Sequence, residues 1–458
     1  MWIALFYLFL INIPFGYRKI LYQWTPGFDE YETAFFYAND ITLLLLVGFF
    51  LFSNFSLKEH AHLFKSSNKL HKASSIKILF FFIVICGISI FSATLPFLSL
   101  YNFVRLLFLC ITSFVVSRAI TSDKSNFVLS IGSIASLAVF EAIIGYFQFV
   151  LQKSLGFWWL GESWLGQFVP GSAKIIIEGI QILRAYGTFP HPNILGAFLV
   201  LGLASIYYFW LKRPSEWKIW AGLKTLKSDL FLGTGIFIIL LGIVLTFSRS
   251  AWIVSLILTF SIIFITFFTK HWIQAVRLAI LFAFTSVILL VTCWPFIFPR
   301  SQISKKDPAV SYRLSYNRVG IDLIKNNPLG VGLGNQVIYS VDNRVYHNAG
   351  MVNVWEWQPI HNIYILIAVE IGIFGLLVFL IFIVKILAQG IFPMKSFRLN
   401  FNLENYTTKI MLLSLLALGM VDHYFWTLEP GRLMLWLVIG MVMGVGELSS
   451  EKMNAPKN

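Results

Sequence analysis

Apolar runs of about twenty residues, the length of a membrane-spanning helix, recur along the whole of this chain. Phe231–Phe247 and Leu278–Phe298 are two of them, and each can cross a hydrocarbon core of roughly 30 Å. Only 12% of the residues are charged, about half the share that is usual in soluble domains. The sequence therefore predicts an all-α integral membrane protein.

About twelve transmembrane helices are expected from the positions of the apolar windows. They are predicted near residues 2–16, 36–52, 76–94, 98–116, 127–150, 191–211, 231–247, 250–268, 278–298, 361–384, 410–427 and 431–447. An even number of spans places both chain termini on the same side of the membrane.

Lysine and arginine in the connecting segments indicate which side this is. Twenty of the 35 basic residues lie in the connections of one side, whereas the short opposite connections contain only Arg249. The basic segments are residues 53–77, 117–126, 212–230, 269–277, 385–409 and 448–458. Because positive residues collect on the cytoplasmic side, both termini are predicted to be cytoplasmic.

Several classes of function are disfavoured by the composition. The net charge of +14 resides in short segments between apolar runs rather than on an aqueous basic face, so nucleic acid is not an expected partner. Cys86, Cys110 and Cys293 lie inside apolar runs and predict neither a disulfide nor a metal site. The sequence contains no Asp-x-Asp pair, no His-x-x-x-His and no Walker motif, so neither a metal ion nor another cofactor is expected.

Two segments on the predicted outer side are too long to be simple connections. Leu151–Pro190 carries an aromatic cluster at residues 157–164, which is typical of a helix lying in the membrane interface. In Pro299–Pro359, the periodic stretch Ala309–Asn326 predicts an ordered helix that ends in a turn. The turn residues are Gly330, Gly332 and Gly334. Long ordered loops are usually functional, so we expect the chemistry in this second segment.

A proline-containing motif that begins at Arg184 precedes the sixth span. Its two prolines favour an extended approach to the membrane, and Asn193 is a suitable N-cap for the helix that follows. Arg184 is expected at the outer interface, where it could bind either a substrate phosphate or a lipid headgroup. His191, between the prolines, fits a structural role as well as a substrate contact.

Three further arginines lie where anions could bind. Arg249 occupies a very short predicted outer turn, and there it must face water, an anion or a protein cavity. Arg313 and Arg318 lie on the predicted outer helix beside tyrosines. A guanidinium group can donate two parallel hydrogen bonds to the oxygens of one phosphate, and tyrosine rings can stack on sugars. A headgroup anchor and a solvated basic face are the structural alternatives.

His361 and Asn362 lie at the predicted outer start of the tenth span. At 100° per residue, Gly372 and Gly375 are predicted to share a helix face with His361 and to let a neighbouring helix approach closely. His361 would then lie at the mouth of a packed crevice. An imidazole there can take a proton from a hydroxyl nucleophile, although a lone interfacial histidine is often structural.

Together these segments resemble the O-antigen ligase and polymerase superfamily, whose members act on polyprenyl-diphosphate-linked glycans. The elements that carry the resemblance are Arg184-Ala-Tyr-Gly-Thr-Phe-Pro-His-Pro-Asn193, Thr246-Phe-Ser-Arg249-Ser250, Arg313-Leu-Ser-Tyr-Asn-Arg318, Asn327-Pro-Leu-Gly-Val-Gly-Leu-Gly334, His361-Asn362 with Gly372 and Gly375, and Asp422-His-Tyr. They extend over roughly residues 180 to 440, and the His-Asn pattern favours the ligases.

The resemblance implies an inverting, metal-independent glycosyltransferase of the cell envelope, as in lipopolysaccharide biosynthesis. Its donor would be a glycan on a polyprenyl carrier such as undecaprenyl diphosphate, and its acceptor a lipid or another glycan. The site would face the outside of a bacterial cytoplasmic membrane, among membrane lipids. By resemblance, the catalytic residues are His361, Arg184 and Arg249, and the substrate-binding residues are Arg313, Arg318, His191, Asn193, Asn362 and Asp422.

Two alternatives stay open. A polymerase would use a second lipid-linked unit as its acceptor. A solute transporter would make use of ionisable residues inside the apolar runs. Several are present, among them Asp40, Arg105, Glu141, Glu370 and Asp422.

Three regions are expected along the chain. Residues 1–180 would hold N-terminal transmembrane helices and an outer interfacial segment. Residues 181–447 would form the ligase-like transmembrane region, with a large extracytoplasmic loop at 299–360 between spans nine and ten. Residues 448–458 would be a cytoplasmic tail.

Overall fold

A computed structural model describes residues 2–25, 30–56, 69–213, 223–302, 307–390 and 401–454. Within these ranges the chain is mainly helical, and its strands form two small antiparallel hairpins. The predicted fold class, an all-α integral membrane protein, is confirmed.

The helices follow one another along the chain with few long interruptions. They are α1 (Trp2–Asn12), α2 (Ala38–Ser56), α3 (Lys69–Ile88), α4 (Pro96–Ser122), α5 (Lys124–Leu151), α6 (Pro192–Lys212), α7 (Leu223–Leu245), α8 (Arg249–Phe267), α9 (Trp272–Ser301), α10 (Pro308–Asn326), α11 (Gln336–Asp342), α12 (Val345–Asn348), α13 (Ile363–Ala388), α14 (Leu403–Gly419), α15 (Tyr424–Thr427) and α16 (Glu429–Asn454). The hairpins are β1 (Arg18–Gln23) with β2 (Thr33–Tyr37), and β3 (Lys174–Ile177) with β4 (Ile180–Leu183).

Nine helices in the described ranges are long and apolar enough to cross a membrane: α3 to α9, α13 and α16. Two shorter apolar helices, Ile3–Asn12 and Ala38–Phe50, coincide with the first two predicted spans. The eleventh predicted span, 410–427, overlaps α14, which has 17 residues. Each of the predicted spans therefore falls on a helix.

Two helices form the centre of the bundle. The apolar window of α6 is 94% buried and that of α16 is 83% buried, whereas α9 buries only 28% of its window. Helix α6 packs against α5, α7, α8 and α14, and α16 packs against α4 and α14. Small residues allow close contact, because a Cβ atom at Gly440 of α16 would lie 2.6 Å from the carbonyl oxygen of Ser113.

Helix α13 is interrupted at Gly372, whose φ of 78° lies in the left-handed region. The segment Pro328–Gly332 fills the gap. The amide of Ile373 donates to the carbonyl of Pro328 (3.2 Å), and the amide of Val331 donates to the carbonyl of Val369 (2.9 Å). A Cβ atom at Gly372 would lie 2.8 Å from backbone atoms of this segment, so glycine is required.

This interruption corrects one expectation from the sequence. Helix α13 begins at Ile363 and breaks at Gly372, so His361, Gly372 and Gly375 do not share a face of one continuous helix. The physical reason is the inserted loop segment, which takes the place of the helical hydrogen bonds at the gap. The predicted outer helix, by contrast, is confirmed by α10, and the glycines that follow it do form turns with positive φ.

The eleventh predicted span also ends early. Helix α14 stops at Gly419, and residues 420–423 form a non-helical turn before α15. Asp422 was predicted to lie within a span. In the structure it lies in this turn instead. Its Oδ1 atom accepts the backbone N–H of His423 (2.9 Å), a local contact that competes with helix formation.

The prediction of an interfacial helix in Leu151–Pro190 is wrong. Residues 152–190, all of them described, contain a single 3-10 turn at Trp158–Leu160 and the β3–β4 hairpin. Glu162 explains this fold, because its carboxylate accepts backbone N–H groups of three successive residues, 155 to 157, at 2.6–2.8 Å. These contacts hold the aromatic segment as a compact loop.

Candidate active site

A crevice of about 1070 Å³ opens at the end of the bundle where α10, the β1–β2 hairpin and the turn before α8 meet. Its described lining includes four arginines, three histidines and Asp422. The arginines are Arg184, Arg249, Arg300 and Arg313, and the histidines are His191, His361 and His423.

Carbonyl groups of the turn between α7 and α8 accept hydrogen bonds from two of these arginines. Arg184 Nε donates to the carbonyl of Thr246 (2.7 Å), and Arg300 Nε donates to the carbonyl of Phe247 (3.1 Å). Phe247 adopts a φ of 50°, which aims the chain into this tight turn. Arg249, the first residue of α8, follows directly. One short turn thereby concentrates three positive charges.

Arg249 is largely buried and pairs with Asp307, at 2.6 Å from Nη2 to Oδ2. Its Nη1 atom is buried and has no hydrogen-bond partner within the described ranges of the chain. A buried donor without a partner is costly, and an anion bound in the crevice would satisfy it.

Arg313 extends from α10 to the turn at residues 420–423. Its Nε atom donates to the carbonyl of Val421 (2.8 Å), and its Nη2 atom lies 3.8 Å from Asp422 Oδ2. Asn193 connects this turn to Arg184: its Nδ2 donates to Asp422 (2.8 Å), and its Oδ1 accepts from Arg184 Nη2 (2.7 Å). Three distant segments of the chain are thus fixed relative to one another.

The start of α6 differs from the sequence expectation. Helix α6 begins at Pro192, and the N-cap is His191, whose Nδ1 accepts the N–H of Asn193 (3.1 Å). Proline is favoured at the first helical position because it needs no hydrogen-bond acceptor there. The prediction that Asn193 is the N-cap is therefore wrong, and its amide is instead the bridge between Arg184 and Asp422.

His361 is held between two rings. It stacks on Tyr316, with ring centroids 5.0 Å apart, and its edge meets His423 at 4.7 Å. Its Nδ1 lies 2.8 Å from the carbonyl oxygen of Pro359, so Nδ1 carries the hydrogen and Nε2 is the basic atom. Burial lowers the pKa of His361, and the imidazole is therefore neutral at pH 7.

Charges around the crevice shift further groups. Burial alone would raise the pKa of Asp422, but His361, His423 and Arg313 together hold it at about 2. Burial lowers the pKa of Arg184 to about 9, and the positive charges of nearby arginines act in the same direction. Arg184 therefore still carries its charge at pH 7, and Asp422, which it reaches through Asn193, stays ionised.

His361, Asp422 and His423 form a group that could hold a metal ion. Their ligand atoms all lie within 4.8 Å of one another, and two imidazoles with a carboxylate are donors that suit zinc. The positive charge of the nearby guanidinium group of Arg313 would repel a metal ion bound there. The expectation of a metal-free site stays a prediction.

Two of the residues singled out in the sequence lie outside the crevice lining. Arg318 is exposed on α10. Asn362 is the N-cap of α13, since its Oδ1 accepts the N–H groups of Tyr364 (2.9 Å) and Ile365 (3.2 Å). A substrate contact for either residue stays a prediction, whereas Arg184, Arg249, Arg313, His191, Asn193, His361 and Asp422 do meet at the crevice.

Sequence reasoning missed several residues that line the crevice. Arg300 was detectable as a basic residue at the predicted outer end of the ninth span. Glu30 and Tyr31 come from the β1–β2 hairpin between the first two spans. Their segment shows no clear alternation of polar and apolar residues, so the sequence carries no signal for its folding towards the crevice.

The fold and this site define an all-α integral membrane protein with four arginines around one crevice. Residues 234–380 match the family model described as O-antigen ligase, so this part of the chain is similar to that family. That family comprises glycosyltransferase-like ligases and polymerases, whose partners are in general a lipid-linked glycan and an acceptor. The matched range contains Arg249, Arg313 and His361. No curated protein matches the chain.

Proposed function

We propose that this protein transfers a glycan from a polyprenyl-diphosphate carrier, such as undecaprenyl diphosphate, to an acceptor hydroxyl. The reaction takes place at the outer face of a bacterial cytoplasmic membrane, inverts the anomeric centre and uses no metal ion. The observation that carries this proposal is the set of four arginines around one crevice, with a neutral histidine at its edge.

The arginines suit a diphosphate leaving group. Negative charge accumulates on the departing diphosphate in the transition state, and fixed guanidinium groups in a water-poor crevice stabilise it strongly. Arg184 is held by a carbonyl and by Asn193, so its position costs little reorganisation when the substrate binds. Arg249 offers its buried Nη1 atom, and Arg313 adds a third guanidinium from α10. In this role the arginines replace a divalent cation.

His361 serves as the general base. The acceptor oxygen attacks the anomeric carbon from the side opposite the diphosphate, and the bond from that carbon to the diphosphate oxygen breaks. The hydroxyl proton goes to His361 Nε2, and the electron pair of the broken bond leaves with the diphosphate. The bond between Nδ1 and the Pro359 carbonyl orients the imidazole for this step.

The acceptor distinguishes a ligase from a polymerase. We favour a ligase, since the His-Asn pattern at 361–362 resembles the ligases. A polymerase would accept a second lipid-linked glycan in the same crevice. Solute transport is less well supported, because transporter sites lie near the midplane between broken helices, and this crevice lies among the loops at one end of the bundle.

The test is transfer in vitro by the purified full-length protein in lipid nanodiscs. An undecaprenyl-diphosphate-linked glycan is supplied with EDTA and with either a core lipid or a second lipid-linked unit as the acceptor. We expect EDTA-resistant transfer, reduced ~10²–10³-fold by Arg249→Ala and at least ~10²-fold by His361→Ala.

Matched controls are Lys325→Ala and His347→Ala, two exposed residues that do not line the crevice. Both should retain transfer. Full activity of His361→Ala at normal protein levels would reject the assignment of the base, and abolition by EDTA with rescue by zinc would reject metal independence. A folded wild type that consumes no donor with either acceptor would reject the transferase, and solute uptake would be assayed next.

A further inference from the structure

The two ends of the crevice differ in charge. One end, the cation end, holds Arg184, Arg249, Arg300 and Arg313, which are the four arginines of the described lining. The other end, the hairpin end, is formed by Glu30 and Tyr31 of the β1–β2 hairpin and by Glu356 and Gln358. A single crevice therefore offers an anion site and, beyond it, a surface of carboxylates, amides and aromatic rings.

His361 and His423 lie between the two ends. On one side, their neighbour Asp422 contacts the guanidinium group of Arg313. On the other side, the ring of His423 meets the ring of Tyr31, with centroids 5.9 Å apart at an angle of 75°. The order along the crevice is thus arginines, imidazoles and hairpin, and the basic atom of His361 lies at the boundary.

The hairpin is fixed in place by contacts on several sides. Tyr31 donates its hydroxyl hydrogen to Oε1 of Gln358 (3.0 Å), which lies three residues before His361. Glu30 forms a bidentate ion pair with Arg18 of β1. The hydroxyl group of Tyr101 on α4 donates to the carbonyl of Phe35 (2.8 Å). The hairpin end is thus preorganised around the loop that carries His361.

The chemistry of the hairpin end suits a neutral sugar. Glu356 accepts the hydroxyl group of Tyr312 (2.9 Å), so a carboxylate lies among tyrosines, and Tyr312 stacks on Tyr316, which stacks on His361. Sugar hydroxyls donate to carboxylate and amide oxygens, and the C–H faces of a sugar pack on aromatic rings. The carboxylate of Glu30 is already paired with Arg18, so an anionic group would be repelled by the carboxylate of Glu356 and attracted to the cation end instead.

Tyr31 also limits how far a ligand can reach. Together with Glu30 and Leu428, it lines a second cavity of about 50 Å³ on the far side of the hairpin end. A water molecule occupies roughly 30 Å³ in the liquid, so this second cavity is too small for a sugar ring. A ligand that approaches from the crevice stops at Tyr31, next to the imidazoles.

We propose that the hairpin end is the acceptor subsite and that it binds a neutral sugar residue, whose hydroxyl is presented to Nε2 of His361. This subsite rests on the proposed glycosyl transfer. Tyr31 is a positioning residue in it, since its ring packs against His423 and its hydroxyl group holds Gln358. An acceptor sugar with a phosphate close to the reacting hydroxyl is disfavoured by the carboxylate of Glu356.

The kinetic test uses Tyr31→Ala and Tyr31→Phe in the full-length protein in nanodiscs. The donor is the undecaprenyl-diphosphate-linked glycan, and the acceptors are a neutral alkyl hexoside and the same hexoside with a phosphate. We expect Tyr31→Ala to raise the KM for the neutral hexoside ~10-fold and Tyr31→Phe, which keeps the ring, ~3-fold. The KM for the donor should stay within about twofold, because the donor diphosphate binds the cation end.

The matched control is Tyr22→Ala, an exposed tyrosine of the same hairpin that does not line the crevice, and its KM values should equal those of the wild type. The phosphorylated hexoside should be the poorer acceptor of the wild type. A Tyr31→Ala effect on the donor KM alone, or preference for the phosphorylated hexoside, would overturn the subsite.

A labelling experiment separates failure of the subsite from failure of the proposed function. A neutral hexoside with a diazirine on the sugar is photolysed with the wild-type protein, and the labelled peptides are mapped. Label on the β1–β2 hairpin that undecaprenyl diphosphate does not displace supports the subsite, and if the wild type nevertheless transfers nothing, it is the transferase that fails. Label near Arg249 that undecaprenyl diphosphate displaces overturns the subsite, even where transfer is observed.

Discussion

Arg105 and Arg184 are both buried arginines, but they differ in what surrounds the guanidinium group. Arg105 of α4 pairs with Asp40 of α2 (3.0 Å) and with Glu429 of α16 (2.7 Å). Arg184 donates instead to the neutral carbonyl of Thr246 and to the amide oxygen of Asn193. The first arginine is neutralised by carboxylates, whereas the second keeps its positive charge facing the crevice.

This difference separates a structural arginine from a functional one. Three elements, α2, α4 and α16, meet at Arg105, so its ion pairs fix their packing. Neutral acceptors do not compensate the positive charge of a buried arginine. A bound anion would compensate it. The sequence predicts Arg105 inside a span and Arg184 at the outer interface, but it does not show which groups surround either guanidinium group.

The largest effect should come from exchanging each arginine for alanine. Arg105→Ala leaves the buried carboxylate of Glu429 and the partly buried carboxylate of Asp40 without their cation, which costs ~3–5 kcal/mol of stability, so the amount of folded protein and its Tm should fall sharply. Arg184→Ala should lower the transfer rate ~10²–10³-fold while the Tm changes much less. Thermal unfolding and transfer assays on the same preparations check both, and equal losses of Tm would remove the distinction.

A pH profile sharpens the comparison at Asp422, the carboxylate that Arg184 reaches only through Asn193. The pKa of His361 lies below its usual 6.5, so wild-type transfer should decline only as the pH falls below that value. Asp422 raises the pKa of His361 by its charge. Asp422→Asn should therefore move the acid limb of the profile to lower pH. An acid limb that moves to higher pH would contradict the role of Asp422.

The smallest effect concerns two arginines on the same helix. Arg313 reaches the crevice and the turn at Val421, whereas Arg318 is exposed outside the lining. We expect Arg313→Ala to reduce transfer ~10-fold or more and Arg318→Ala to change it less than about twofold. Initial rates at saturating donor measure this difference. A comparable loss of transfer rate in both variants would indicate that Arg318 also contacts the substrate.

Local sequence signals predicted much of the fold. The apolar windows gave the spans, and the periodicity of residues 309–326 gave α10 with its turn. These features depend on neighbouring residues and are therefore visible in the sequence. The break at Gly372 depends on a loop segment some forty residues earlier that inserts into the helix, and no local pattern reports such a contact.

The sequence predicted several residues of the site but not the contacts between them. Arg184, Arg249, Arg313 and His361 were recognisable from motifs, and the structure brings them to one crevice. The bond between Asn193 and Asp422 joins residues separated by 229 positions, and the hairpin with Tyr31 comes from the other end of the chain. Such pairings follow from helix packing in three dimensions, which composition and spacing do not encode.

The gap at Gly372 has a consequence for the biogenesis of the protein. In lipid, every backbone amide and carbonyl must find a partner, and near the gap α13 obtains some of these partners from Pro328–Gly332. A lone α13 leaving the translocon would expose these groups to hydrocarbon. We therefore expect stable integration of this helix to depend on ordering of the preceding loop, which supplies partners for its backbone groups.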